Sequence, residues 1–111
     1  MGVSQHQDQS GVTVVRMDGQ LIVGNRQELK DVIQAALDRG ERRILVDFSH
    51  TGYIDSSGLG ALVSISKRVR EVGGELRLSG LNEDLRSLFE LTKLDSLFSI
   101  ADTPQQALAS F

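Results

Sequence analysis

An α/β domain, with a mixed sheet of four to five strands that opens with a β-hairpin and packs against about four helices, is predicted by three features of this sequence. Strand-length runs of β-branched and apolar residues alternate with longer segments whose apolar residues recur at helical spacing. One run, residues 44–48, is apolar almost without a break, as in a strand covered on both faces. The helical segments begin at capping residues, and two of them end at glycine.

Taken in order, residues 1–11 lack both a basic start and an apolar core, and are expected to form a flexible N-terminal tail ahead of a domain over 12–111. Residues 12–17 are rich in β-branched side chains, and Asp18-Gly19 is a turn signal before residues 20–23, so this pair is the predicted hairpin. From Asn25, a natural cap, apolar residues at Leu29, Val32, Ile33, Ala36 and Leu37 mark one helix face, and Gly40 stops it. Residues 44–48 follow as a central strand parallel to one hairpin strand, then a loop over 49–54. Asp55-Ser56-Ser57 starts a second helix, with Leu59, Leu62, Ile65, Val69 and Val72 on one side and Gly73-Gly74 at its end. Residues 75–79 form a strand. Asn82 caps a helix with Leu85, Leu88 and Phe89 facing inward, and residues 97–100 form an edge strand. Thr103-Pro104-Gln105-Gln106 combines a cap, a proline at the first helical position and a capping-box glutamine, announcing a terminal helix through Phe111.

The 111-residue length suits one core. The chain has no cysteine, which excludes disulfides and thiolate metal sites and favours a reducing compartment, here the cytoplasm. No apolar run approaches the ~20 residues of a membrane span. A net charge of -3 argues against nucleic-acid and anionic-membrane binding, and the basic clusters Arg42-Arg43 and Lys67-Arg68-Val69-Arg70 read as solvated surface.

Residues 54–62 are the informative stretch. They place an acid and two hydroxyls at a helix start, beyond the carboxyl end of the central strand, where open α/β sheets tend to place their sites. In one reading Asp55 or Ser56 merely caps the helix and the glycines allow close packing. That leaves two glycines, Gly58 and Gly60, each costing up to ~1 kcal/mol against alanine in a helix, to be explained. Close approach of another backbone or of a partner is the alternative. An enzyme reading would make Ser57 or Ser56 a nucleophile, His50 its base and Asp47 or Asp55 the orienter. The nucleophile-elbow pattern is absent, and the other histidine, His6, lies in the expected tail. Nucleotide binding lacks a Gly-Lys-Ser/Thr pair, and Val63 stands where a third glycine would be. No His and Cys cluster offers a metal site.

Asp55-Ser56-Ser57-Gly58-Leu59-Gly60, between an apolar strand and an apolar helix, resembles the phosphorylation motif of the anti-sigma factor antagonists of the STAS domain family. The resemblance extends over roughly residues 12–109, including Gly19-Gln20-Leu21, Gly73-Gly74-Glu75 and Leu88-Phe89-Glu90-Leu91. It implies a cytoplasmic switch protein, not an enzyme and without cofactor. Unphosphorylated, it binds an anti-sigma factor that is also a serine kinase, and so releases a sigma factor; phosphorylation on Ser57 switches it off, and a serine phosphatase restores it. Asp55, Ser56, Ser57, Gly58, Leu59 and Leu62 are then the expected docking residues, with Ile22 and Asn25 as flanking contributors. Ile22 stands where related antagonists often carry an aspartate. The alternatives are a standalone STAS interaction subunit of a sensory or lipid-transport assembly, and a nucleotide-binding STAS module.

Overall fold

The computed structural model describes residues 2–111. Five strands, β1 (Gly2–Gln7), β2 (Thr13–Leu21), β3 (Arg43–Ile54), β4 (Glu75–Ser79) and β5 (Ser99–Ala101), form one sheet in the order β1-β2-β3-β4-β5. β1 is antiparallel to β2 and the remaining pairs are parallel, so the predicted mixed α/β sheet is present. Four helices, α1 (Arg26–Asp38), α2 (Ser56–Glu71), α3 (Glu83–Leu91) and α4 (Pro104–Ala109), complete the architecture, with one 3₁₀ turn at Leu94–Ser96.

Crossovers of one hand between successive parallel strands carry their helices to the same side of a sheet. The main core accordingly joins Leu29, Ile33, Ile65, Val69, Leu85 and Phe89 of α1, α2 and α3 to Val15, Met17, Ile44, Val46 and Phe48 of the sheet. The alternate residues Val14 and Leu45 point to the opposite face, where Ala107 of α4 covers them with Val12. The unbroken apolar run in β3 is thereby explained: it is buried from above and below. No helix among the described residues is long and apolar enough to cross a membrane.

Four expectations are corrected. Residues 2–7 of the expected tail are β1, paired with β2 from Gly2↔Asp18 to Gln7↔Thr13. The hairpin therefore exists one strand earlier, and its turn is closed by Asp8, whose carboxylate accepts from the amides of Ser10 (3.1 Å) and Val12 (2.8 Å). Asp18-Gly19 is not a turn. β2 runs through it, and the glycine is absorbed as an irregularity in the pairing with β3. Residues 49–54 are likewise strand, not loop, because they continue β3 alongside the second half of β2. Thr51 is buried there and donates its hydroxyl to the Met17 carbonyl at 2.7 Å. At the C-terminal side, β5 begins at Ser99 rather than 97, after a turn in which Lys93 adopts φ 65°.

A polar clamp fastens the edge strand. Glu41, between α1 and β3, accepts from the Thr13 hydroxyl and from Arg39 Nε (2.7 Å), while Arg39 Nη2 reaches Gln5 on β1 at 3.1 Å. The Arg39 guanidinium foremost, then Thr13, holds the Glu41 carboxyl below the ordinary glutamate value. The stability that ionised Glu41 contributes is thus complete above that ordinary value and is lost as pH falls through the lower folded one. Thermal melts of wild type and Glu41→Gln should show wild type more stable at neutral pH, with the gap closing below about pH 4. A gap of the same size at low pH would remove this role from Glu41.

Candidate functional site

The site is assembled where two parallel strands end together. Leu21 of β2 is in register with Ile54 of β3, and the next residue, Asp55, donates its amide to the Leu21 carbonyl at 3.1 Å. The chain then turns directly into α2, so the start of this helix stands at the carboxyl ends of β2 and β3. Asp55 is the cap: extended backbone (φ -88°, ψ 178°) brings one carboxylate oxygen to the Gly58 amide at 2.7 Å. The other oxygen accepts from the Val23 amide at 3.2 Å. One side chain therefore satisfies a helix donor and also ties the β2–α1 loop to α2.

Asn25 holds the same loop from the other side. It occupies the N-cap position of α1 without capping it; its side chain instead accepts from the Ile22 amide (2.9 Å) and donates to the Gln20 carbonyl (2.7 Å). The expected capping role is corrected to a loop clamp. Ile22 is half-buried, whereas Val23, given no role by the sequence, is 63% exposed with its backbone fixed by Asp55. Asp55→Ala removes both ties, and urea denaturation should show a loss of about 1–2 kcal/mol. Faster exchange of the Val23 amide should accompany it; native exchange would mean that the loop holds without Asp55.

The two glycines separate. A Cβ on Gly58 would lie 2.5 Å from the Leu21 carbonyl oxygen and 2.9 Å from Ile54 Cγ2, so its absence lets the helix start press onto the strand ends. Gly60 faces open space, with nothing within 4 Å of a Cβ. Ser56 is exposed and Ser57 half-buried, and neither hydroxyl is consumed by the cap, which the Asp55 carboxylate supplies. Asp55, Ser56 and Ser57 are thus gathered at one accessible helix start, with Gly60 open beside them. Leu62 is not part of that surface: it is 0% exposed, in the main core under α2, because it lies on the sheet-facing side of the helix. Leu59, at 9%, is also core, though one edge lines a groove described below. Tyr53, 56% exposed, stands near Ser56 and was hidden from the sequence reading by the assignment of residues 49–54 to a loop.

The residues of the enzyme reading do not act together. Asp47 turns its carboxylate to the amide and hydroxyl of Ser49 (3.0 and 2.5 Å), and His50 is an exposed residue in the middle of β3. What remains is a capped helix start offering hydroxyls, flanked by a fixed apolar loop, on an α/β domain.

The family model for the STAS domain matches residues 4–107, and the chain belongs to that family. Among its relatives, BtrV of Bordetella bronchiseptica is 33% identical over 108 residues, spanning 90% of this chain and 93% of its own length. The anti-sigma-B factor antagonist of Staphylococcus aureus is 33% identical over 86 residues, 78% of this chain and 80% of its own. The anti-sigma factor antagonist SpoIIAA, solved in its unphosphorylated form, superposes with a TM-score of 0.75 at 18% identity, covering 98% of this chain and 96% of the other. The phosphorylated form of SpoIIAA from Bacillus gives the same score at 21% identity, covering 98% of both chains.

Proposed function

We propose that this chain is an anti-sigma factor antagonist that docks, unphosphorylated, onto an anti-sigma factor with serine kinase activity, and is released when that kinase phosphorylates Ser57. The observation that carries this reading is the arrangement at Ser57: its hydroxyl stands at a helix start already capped by Asp55, on an accessible surface, and has no structural task to lose. Docking there displaces the anti-sigma factor from its sigma factor. The domain itself is no enzyme: the kinase supplies the chemistry, a serine phosphatase reverses it, and the exchange takes place in the cytoplasm, where ATP is available.

The physical consequences of phosphorylation follow from the position. A phosphate adds about -1.5 to -2 charges, and a helix N-terminus accommodates negative charge, so the fold survives the modification. At a closed interface the same group is a bulky hydrated dianion beside the Asp55 carboxylate, and burying it costs desolvation as well as like-charge repulsion. A difference of ~3 kcal/mol between the two states already changes affinity more than a hundredfold. Ile22 leaves no carboxylate at its own position, so Asp55 is the negative neighbour from which the repulsion arises.

Intact-mass spectrometry with site mapping, on the full chain incubated with ATP and each anti-sigma factor kinase of the same organism, tests the reading. A single phosphate on Ser57, absent in Ser57→Ala, is the expected result. No modification by any kinase would reject it in favour of an unmodified STAS subunit.

A further inference from the structure

The chain carries an open groove beside the serines that capping and phosphorylation do not use. β4 pairs with β3 only as far as Asp47↔Ser79, and β3 continues for seven more residues to Ile54. α3 stands across the gap this leaves. Tyr53, Leu59, Leu85 and Leu88 line the resulting groove of about 480 Å³, which also reaches Asp55, Ser56 and Asp84. The lining is mainly apolar and surface-open, the form that receives a side chain from a protein partner.

Two further observations say what fits it. Exposed apolar side chains mark it: Tyr53 is in its wall, and Leu91 (82% exposed) follows Leu88 by one turn on α3. The charge is also of one sign. Asp55 and Asp84 line the groove with no cation among the lining residues, and Asp84 takes part in no ion pair among the described residues. Asp55 is committed to two amides, which leaves Asp84 as the carboxylate open to a partner.

We propose that this groove between β3, α2 and α3 seats a segment of the anti-sigma factor that carries a bulky apolar side chain beside a lysine or arginine; the proposal rests on the antagonist reading above. The apolar group fills the space between Tyr53 and Leu88, and the cation pairs with Asp84 at the rim. Such an anchor in a desolvated pocket is where binding energy concentrates, and the rim pair governs association rate and salt dependence. One basic side chain balances Asp84 but not a phosphate dianion as well, so the acidic rim does not turn phosphorylation of Ser57 into an attraction.

The test is titration calorimetry of the full chain against each purified anti-sigma factor kinase of the same organism, at low and high salt. Tyr53→Ala and Asp84→Lys, both at exposed positions, should each weaken binding about tenfold or more, whereas Lys67→Ala on the outer side of α2 should not. Asp84→Asn should flatten the salt dependence while keeping the start of α3 intact, a readout that partial unfolding would not reproduce. If Tyr53→Ala and Asp84→Lys both bind within about twofold of wild type while Ser57→Asp is released, the groove is not the seat and the antagonist reading stands. If wild type binds none of the kinases, both proposals fall together.

Discussion

Gly58→Ala is expected to destabilise the domain by about 2 kcal/mol, although alanine is the better helix former, while Gly60→Ala two residues later leaves stability unchanged or raises it by up to ~1 kcal/mol. The difference lies in what each Cβ meets. At Gly58 it meets a backbone carbonyl and the Ile54 side chain, and neither can withdraw: the Leu21 carbonyl accepts the Asp55 amide, and Ile54 is buried. The helix start must lift, stretching the Asp55 cap. At Gly60 the space is open, so alanine brings only its helical preference. Urea denaturation of the two variants measures this directly, and equal stabilities would mean that α2 does not press on β2 as described. Gly60→Ala has a second use. Should it weaken partner binding in a fully stable protein, the open space beside Gly60 is space the partner's backbone enters.

The second large effect belongs to Ser57. Ser57→Asp should bind the anti-sigma factor at least about tenfold more weakly than wild type, and Ser57→Ala within about threefold of it. Both should melt near the wild-type temperature, because the serine hydroxyl does not supply the helix cap. Aspartate carries one charge where phosphate carries nearly two, so the phosphorylated protein should lose more than the variant does. Undiminished binding by a folded Ser57→Asp would remove charge as the basis of release.

Much of this was legible in the residues. The helical faces of α1, α2 and α3 are written in apolar spacing, and Asn82 and Thr103 cap α3 and α4 as their types imply, accepting from the Leu85 and Gln106 amides. The central strand was visible only in its buried half. From Ser49 to Gly52 the side chains are polar or small, and what keeps residues 49–54 extended is pairing with a distant strand, which leaves no local signature. β1 was missed for the same reason, since Ser4, Gln5, His6 and Gln7 are exposed at the sheet edge and hold their place through the backbone ladder. At the site, the motif located Asp55, Ser56 and Ser57 correctly on one helix start. It could not separate the packing glycine from the open one, which depends on where the strands lie beneath α2, whereas the inward turn of Leu62 is already implied by its spacing with Leu59, Ile65 and Val69 and overrides its place in the motif. Val23 escaped because it ends the apolar run Leu21-Ile22-Val23, which reads as strand, and Tyr53 because residues 49–54 read as a loop; the exposure of both is set by tertiary structure.

Phosphorylation of Ser57 is proposed to act at the docking surface and not on the fold. The measurement that tests it most directly is a paired one: titration of unphosphorylated and Ser57-phosphorylated protein into the cognate anti-sigma factor, with the thermal melt of each form recorded alongside. Affinity should fall by about a hundredfold or more while the melting temperature stays within about 3 °C. Equal affinity of the two forms, or a loss of binding that comes with a collapse of the melt, would contradict it.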